Sequence, residues 1–284
     1  MRSFDKRVAA VTGAGSGIGR ALAVRLARRG ALPALADIDG EAVRATAEAI
    51  ERVCPGSRLL VTELDVADRA AVQAWADEVA GRFGRVDLVV NNAGVGVVAP
   101  VEDAAWDDVE WLMNVNFWGV VHGSKAFLPY LKRSDDGHLV NMASVFGLVG
   151  VPAMSAYCAS KSAVCGFTEA LRQEVRLSRS GVRVTTVLPG GVSSAFARSV
   201  RTSPQVDADA LAAISSRVAA TTPEQAARAI LRGVKRNRAR VHVGPDAYVI
   251  DWAWRLLGVG VEPFARGIAA RLLPLPWAPE SPEP

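Results

Sequence analysis

The chain has 284 residues, half of them apolar, a size that fits one domain with a sizeable core better than two full domains. Lysine and arginine together number 33 and aspartate and glutamate 29, an excess too small to indicate binding of nucleic acid. Since even the most apolar late segment, residues 247–261, contains Asp251 and Arg255, no membrane-spanning helix is predicted.

The first residues and the cysteines indicate where the protein resides. Charged residues at positions 5–7 interrupt the start of the chain, which argues against a signal peptide. The three cysteines, an odd number, show neither a CxxC nor a metal-ligand spacing, as expected in a reducing compartment. They are Cys54, Cys158 and Cys165. We therefore expect a cytoplasmic protein.

Short runs rich in Val, Ala and Leu alternate with longer segments of helical periodicity, a pattern typical of βαβ units and a parallel sheet. The predicted strands are residues 8–12, 33–36, 59–62, 86–90, 138–142, 182–187 and 241–243. The predicted helices are residues 18–29, 40–52, 69–83, 106–132, 155–178 and 223–237. Together they predict an α/β fold, a doubly wound seven-stranded parallel sheet with helices on both faces. Because proline cannot donate to a ladder, we expect Pro33 at the first residue of its strand.

A glycine-rich turn, TGAGSGIG at residues 12–19, directly follows the first predicted strand, and an amphipathic helix begins at its end. Glycines there permit a tight turn and let the backbone approach a pyrophosphate, whose charge faces the helix N-terminus. Such a turn alone is weak evidence. Its position between a strand and a helix predicts a dinucleotide site.

Asp37 ends the second predicted strand, where a carboxylate can accept hydrogen bonds from the ribose hydroxyls of adenosine. A carboxylate there would repel a 2′-phosphate, and Ser16 offers no basic side chain to compensate. NAD is therefore predicted in preference to NADP. The alternative is that Asp37 merely caps a turn with Asp39.

The glycine pattern also carries a resemblance to a known family. Residues 12–19 fit TGxxxGxG and not GxGxxG, and in this the chain resembles the short-chain dehydrogenase/reductase (SDR) family, which has a Rossmann fold. Two later motifs at strand ends extend the resemblance: Asp65-Val66, matching the family's adenine contact, and NNAG at residues 91–94. The predicted cofactor-binding residues in this half are Gly13, Ser16, Gly17, Ile18, Gly19, Asp37, Asp65, Val66, Asn92, Ala93 and Gly94.

Tyr157 and Lys161 lie four residues apart in a predicted helix, so their side chains share one face. A tyrosine pKa is ordinarily near 10, and a neighbouring ammonium stabilises the phenolate, which would make Tyr157 a usable acid or base. The pair by itself is a weak motif. Ser144, thirteen residues before Tyr157 at the end of the fifth strand, matches the family's Ser-Tyr-Lys spacing and would hold the substrate oxygen.

Asn116 matches the family's fourth catalytic position, whose amide positions a water that links the lysine to solvent; Asn114 is the competing candidate. After the sixth strand, Pro189-Gly190-Gly191-Val192-Ser193-Ser194 resembles the PG motif, whose backbone and hydroxyl receive the nicotinamide carboxamide. The predicted cofactor contacts in this half are Tyr157, Lys161, Pro189, Gly190, Val192 and Ser194. The resemblance implies hydride transfer between nicotinamide and a carbon that bears oxygen, with Tyr157 handling the proton.

Three further expectations concern partners. The histidines show no ligand spacing, so no metal is predicted. The long helix at residues 106–132 is apolar almost all round, and in the family it pairs between subunits, which implies a homodimer or homotetramer. The segments 145–147 and 196–214 should border the substrate and are largely apolar, so the expected substrate is an apolar ketone or secondary alcohol, although fold and triad do not set its identity.

We divide the chain into a single NAD-binding catalytic domain, residues 1–244, and a C-terminal extension, residues 245–284, helical and then proline-rich. Three roles for the extension are open: packing on the domain or on another subunit, covering the active site, or lying peripherally in a membrane interface. Other functions fit less well. The glycine spacing argues against an epimerase or dehydratase of the related extended fold, and the intact motifs argue against a non-catalytic dinucleotide-binding scaffold. An NADP-dependent carbonyl reductase of the same family is the remaining alternative.

Overall fold

A computed structural model describes residues 1, 3–193, 196, 200–207, 209 and 220–272 of the chain. The strands are β1 (Val8–Thr12), β2 (Leu32–Asp37), β3 (Leu60–Glu63), β4 (Leu88–Asn91), β5 (Gly96–Val98), β6 (His138–Met142), β7 (Arg183–Pro189), β8 (Val200–Thr202) and β9 (Arg240–Val243). The helices are α1 (Gly17–Ala27), α2 (Gly40–Val53), α3 (Arg69–Phe83), α4 (Trp106–Met113), α5 (Gly119–Arg133), α6 (Ser155–Leu177), α7 (Pro223–Lys235), α8 (Pro245–Leu257) and α9 (Glu262–Leu272).

The main sheet is parallel, with seven strands in the order β3-β2-β1-β4-β6-β7-β9. The doubly wound seven-stranded Rossmann fold is thus confirmed. Every residue of β1 is buried, as in a strand covered on both faces. Alternate β1 residues enter two cores: Ala9 and Val11 pack with α1, α2 and α7, whereas Val8 and Ala10 pack with α3, α5 and α6. The chain order reverses between β1 and β4, the switch point at which such sheets bind ligands.

Pro33 is the second residue of β2, not the first as predicted. Leu32 N donates to Arg7 O on the β1 side, so the nitrogen of the next residue faces β3. Pairing with β3 begins only at Ala34, opposite Leu60. The missing N–H of Pro33 therefore falls where the neighbouring strand has not yet started, and no ladder bond is lost.

The predicted helix 106–132 is divided in the structure. A π-helical turn, Asn114–Trp118, separates α4 from α5. Asn116 within that turn is completely buried, whereas Asn114 is exposed. Wide turns of this kind occur frequently at functional sites. A second feature absent from the prediction is the short parallel pairing of β5 with β8.

The extension begins as helix α8, whose inner face packs on the domain. Ala247 and Ile250 lie in a cluster with core residues that include Val145 and Leu188. Its outer face leaves Trp252 about 62% exposed. The predicted proline-rich tail, residues 274–284, lies outside the described residues, and no helix in the described part of the chain is long and apolar enough to cross a membrane.

Candidate active site

The glycine-rich turn and the NNAG segment meet at the carboxyl ends of β1 and β4. Gly13 and Gly17 have φ of +63° and +50°, a region that favours glycine. A Cβ added at Gly19 would overlap the carbonyl oxygen of Gly13, so the turn closes only with glycine there. Asn92 Nδ2 donates to Thr12 O at 2.9 Å and to Gly13 O at 3.1 Å. The NNAG segment thus fixes the turn that precedes α1.

Asp37 binds the glycine-rich turn and also its own turn. One carboxylate oxygen accepts from Gly15 N at 2.8 Å and the other from Asp39 N at 3.1 Å. The capping role considered as an alternative is therefore present, and it leaves the half-buried carboxylate beside the turn. No ion pair to Asp37 occurs within the described ranges.

Asp65 and Val66 follow β3 and lie beside α5. Asp65 Oδ1 accepts from Ala67 N at 2.9 Å. Val66 is buried, and a Cβ added at Gly119 would lie 2.7 Å from Val66 Cγ2. Their predicted contact with the adenine ring stays a prediction.

Asn116 connects the π-helical turn to the end of the NNAG segment. Its Oδ1 accepts from Val95 N at 2.8 Å, and its Nδ2 donates to Val95 O at 2.9 Å and to Ser160 Oγ at 3.2 Å. A Cβ added at Gly94 would lie 3.1 Å from Asn116 Oδ1 and 3.3 Å from Lys161 Nζ. Of the two asparagines considered, Asn116 is therefore the one beside the predicted triad. Its amide groups hold Val95 and Ser160; the predicted water link to the lysine stays a prediction.

Tyr157 and Lys161 lie in the first turns of α6 and are both buried. Lys161 Nζ lies 5.7 Å from the centroid of the Tyr157 ring and donates to Met142 O at 3.2 Å. Burial raises the pKa of Tyr157 to about 12, opposed by its hydrogen bond with the Ser144 hydroxyl. Burial lowers the pKa of Lys161 to about 8. Desolvation therefore dominates the pKa of the phenol in this structure, and the lowering expected from the Lys161 ammonium is not seen.

Ser144 follows β6 in extended conformation, directly before a 3-10 turn at Val145–Gly147. Its hydroxyl accepts from Phe146 N at 3.2 Å and donates to Pro189 O at 3.4 Å. A Cβ added at Gly147 would lie 2.7 Å from Lys161 O, so this turn packs closely against α6. The loop between Ser144 and Tyr157 thus folds back as predicted, and the structure brings the three triad residues together.

The PG segment follows β7 at the same edge of the sheet. Gly190 N donates to Val243 O at 2.9 Å, and Val192 forms a parallel bridge with Thr221. Ser194 lies outside the described residues. Gly191 N donates to Asp246 Oδ2 at 2.6 Å, a contact that the sequence analysis missed. The available signal was weak: a Gly-Pro-Asp sequence at residues 244–246, typical of a helix start.

The predicted cofactor residues fit a dinucleotide on the evidence of backbone space. The glycine-rich turn presents backbone at the start of α1, where side chains at Gly13 or Gly19 would collide with neighbouring backbone. Backbone N–H groups at a helix N-terminus suit a pyrophosphate. The Asp37 carboxylate at the end of β2 suits ribose hydroxyls. The arrangement can therefore hold a nicotinamide dinucleotide.

Apolar side chains border Tyr157. Its ring lies 6.5 Å from the Phe146 ring and 5.9 Å from the Phe196 ring, centroid to centroid. Trp111 and Met154 belong to the same cluster. Of the predicted border, residues 145–147 and Phe196 lie there; much of 196–214 falls outside the described residues.

The histidines have hydrogen-bonding or ion-pair partners. His138 Nε2 lies 2.8 Å from Thr185 Oγ1, His122 Nδ1 lies 3.1 Å from Val66 O, and His242 Nε2 lies 3.0 Å from Asp251 Oδ2. Within the described ranges, no group of three or more His, Cys, Asp and Glu residues is placed to hold a metal ion.

Comparisons with known proteins identify the family. A sequence model described as short chain dehydrogenase matches residues 7–205. SadH of Mycobacterium tuberculosis H37Rv, named as an oxidoreductase, is 44% identical over 279 residues, covering 98% of this chain and 100% of SadH. Meso-2,3-butanediol dehydrogenase of Serratia marcescens is 39% identical over 191 residues, covering 67% of this chain and 73% of that protein.

A solved structure agrees with the fold. The crystal structure of a short chain dehydrogenase/reductase from Burkholderia phymatum in complex with NAD superposes with a TM-score of 0.84 at 31% identity, covering 94% of this chain and 97% of that one. The family match, the relatives and the geometry of the site lead to one conclusion. The chain belongs to the short-chain dehydrogenase/reductase family and is an oxidoreductase that uses a nicotinamide dinucleotide.

Proposed function

We propose that the enzyme transfers a hydride between NAD(H) and an apolar secondary alcohol or ketone, with Tyr157 as the general acid or base. The observation that carries the proposal is the buried cluster of Ser144, Tyr157 and Lys161 beside the glycine-rich turn and the PG segment. When bound, the cofactor supplies or accepts the hydride. The name of the butanediol dehydrogenase relative supports alcohol and ketone chemistry at such a site.

Tyr157 carries the proton in this proposal. With its pKa raised to about 12 by burial, the phenol is protonated at neutral pH, the form that donates to a carbonyl oxygen during reduction. In the reverse direction, the phenolate must form. The Lys161 ammonium, 5.7 Å from the ring centroid, favours it.

Lys161 and Ser144 assist at the two ends of that proton transfer. The Lys161 pKa, lowered to about 8 by burial, lies close enough to neutrality for the side chain to gain and lose a proton during turnover. The Ser144 hydroxyl, which hydrogen-bonds with the tyrosine, would hold the substrate oxygen next to the phenol. Asn116 is a positioning residue that holds Val95 and Ser160.

The choice of NAD over NADP rests on Asp37. Its carboxylate accepts from Gly15 N and Asp39 N and has no cationic partner in the described part of the chain. The 2′-phosphate of NADP would place a second negatively charged group next to the Asp37 carboxylate. The NAD complex of the Burkholderia relative supports this choice; an NADP-dependent carbonyl reductase is the alternative that cofactor kinetics would reveal.

We also propose a cytoplasmic homodimer or homotetramer that pairs through the long helix of α4, the π-helical turn and α5. Trp118 in this segment is 47% exposed and Trp106 is 81% exposed, and a second copy of the chain would cover such apolar side chains. The outer face of α8 could in addition contact a membrane surface. Sedimentation of the purified protein tests the oligomeric state, and co-sedimentation with lipid vesicles tests the membrane contact.

The experiment for the reaction is a screen of secondary alcohols with NAD and of the matching ketones with NADH, followed by NADH fluorescence. We expect Tyr157→Phe to lower turnover by about a hundredfold to ten-thousandfold, the usual contribution of a positioned acid or base. Tyr130→Phe is the matched control, because Tyr130 is on α5 and its hydroxyl bonds to Asp77. Undiminished turnover in Tyr157→Phe would rule out the proposed mechanism.

A further inference from the structure

Asp246, in the first turn of α8, packs against the backbone of the PG segment. Its Oδ2 accepts from Gly191 N at 2.6 Å. A Cβ added at Gly190 would overlap the same carboxylate, so only glycine permits this close contact between the backbone and Asp246. Asp246 lies beyond residues 7–205, which the family model matches. A side chain of the extension therefore touches a segment predicted to bind the cofactor.

The chain path from β9 into α8 is shaped to bring this carboxylate back to the sheet edge. Gly244 has φ of +94°, a conformation that favours glycine. A Cβ there would overlap Asp246 Oδ1 and lie 2.7 Å from Thr221 Oγ1. The turn thus permits close contact between Asp246, the end of β9 and Thr221, which lies two residues before α7.

The Gly191 backbone, in the PG segment, forms hydrogen bonds on two sides. On one side, Thr221 N donates to Gly191 O at 3.3 Å, and Ser193 N donates to Thr221 O at 2.9 Å. On the other side, the Asp246 carboxylate accepts from Gly191 N. Both polar groups of the Gly191 backbone are therefore engaged, which fixes the orientation of the peptide that leads to Val192.

Only one oxygen of the Asp246 carboxylate, Oδ2, accepts a hydrogen bond in this contact. Asp246 Oδ1 is buried and has no hydrogen-bond partner among the described residues. Burying a polar atom without a partner costs free energy. A carboxylate in the first turn of a helix is favoured by the dipole, and a hydrogen bond to a charged acceptor is stronger than a neutral one. The hydrogen bond from Gly191 N is therefore the favourable polar contact described for this buried carboxylate.

We infer that Asp246 is a positioning residue for the nicotinamide half of the cofactor site, acting through the Gly190-Gly191 backbone. The inference rests on the proposed function, in which the PG segment receives the nicotinamide carboxamide. Without the carboxylate, Gly191 N loses its acceptor, and the Gly191 backbone keeps only the hydrogen bond from Thr221 N to its carbonyl oxygen. The adenosine half of the site, built by residues 12–19 and Asp37, has no contact with Asp246 among the interactions described.

The test compares two ligands that differ in the nicotinamide. NADH and ADP-ribose share the adenosine and the pyrophosphate, but ADP-ribose lacks the nicotinamide ring. For Asp246→Ala we expect NADH affinity to fall about tenfold, the scale of one charge-assisted hydrogen bond, with ADP-ribose affinity changed less than about twofold. Asp246→Asn should restore most of the NADH affinity, because the amide oxygen can still accept from Gly191 N. Asp246→Glu displaces the carboxylate and should lower NADH affinity as Asp246→Ala does. If the alanine variant does not fold, the glutamate variant tests the inference in its place.

Asp251→Asn is the matched control on the same helix. Asp251 is buried and lies 3.0 Å from both His242 Nε2 and Arg255 Nε, so the variant weakens the docking of α8 without touching Gly191. It should lower the melting temperature and leave the ratio of the two dissociation constants unchanged. Equal losses for NADH and ADP-ribose in Asp246→Ala and Asp246→Glu, or no loss at all, would overturn the inference. Failure of the wild-type enzyme to bind either ligand would instead overturn the proposed function, and the inference with it.

Discussion

Asn116→Ala removes three hydrogen bonds from a completely buried side chain. Two of them hold the N–H and C=O of Val95, and the third joins Ser160. Because Val95 is only partly buried, water can replace some of the loss. At about 1 kcal/mol for each bond that goes unreplaced, we expect the unfolding free energy to fall by about 2–3 kcal/mol. For a chain of this size that corresponds to a melting temperature lower by about 3–5 °C.

Activity should fall in the same variant, since Val95 follows Gly94, whose backbone lies against Lys161 Nζ. Differential scanning calorimetry and kcat for the best substrate of the screen measure the two effects. Asn114→Ala is the matched control, because Asn114 is exposed and two residues away. If both variants melt at the wild-type temperature and retain full kcat, the clamp on Val95 has no role. If Asn114→Ala alone loses activity, the assignment of the fourth catalytic position is wrong.

Three further outcomes are expected. Burial lowers the pKa of Lys161 from 10.5 to about 8, so between these values the unfolded chain binds more protons and the cost of burying the ammonium disappears as the pH rises. The unfolding free energy of Lys161→Met, which carries no such cost, should therefore fall relative to that of the wild type by roughly 2–3 kcal/mol between about pH 7 and about pH 10. A difference in unfolding free energy that does not change with pH would contradict this. Asp37→Ser should raise kcat/KM for NADP relative to NAD by at least about tenfold through relief of charge repulsion, and a wild-type enzyme that already prefers NADP would refute the assignment. Gly19→Ala should abolish NADH binding in a titration because its Cβ overlaps Gly13 O, whereas Gly166→Ala, with open space at its Cβ, should bind normally and be stabilised by up to about 1 kcal/mol; normal binding by Gly19→Ala would show that the turn can relax.

The sequence predicted the order of strands and helices because apolar residues recur every two residues in a strand and every 3.6 residues in a helix, which is visible in the local sequence. The bounds of Val8–Thr12 and His138–Met142 agree with the prediction to the residue. The helix at 106–132 was predicted as continuous because apolar residues recur throughout it. Its π-helical turn could not be seen, since that turn accompanies contacts of Asn116 with Val95 and Ser160, which are far away in the sequence.

In the candidate site, too, some features were predictable from the sequence and others required the structure. The spacing of Ser144, Tyr157 and Lys161 was readable because one strand, one loop and one helix carry all three. The choice between Asn114 and Asn116 required the structure, since only burial and partners distinguish them. Asp246 could not be found from the sequence, because its partner Gly191 lies 55 residues earlier.

By itself, then, the sequence determined the doubly wound sheet and predicted the glycine-rich turn and the candidate Ser-Tyr-Lys triad, all of which depend on local period and spacing. The tertiary structure decided what depends on distance in space. It buried Tyr157 and Lys161, and desolvation moved their pKa values to about 12 and about 8. It also placed the carboxylate of Asp246 on the PG segment, because the chain returns from β9 to the sheet edge only in the folded state.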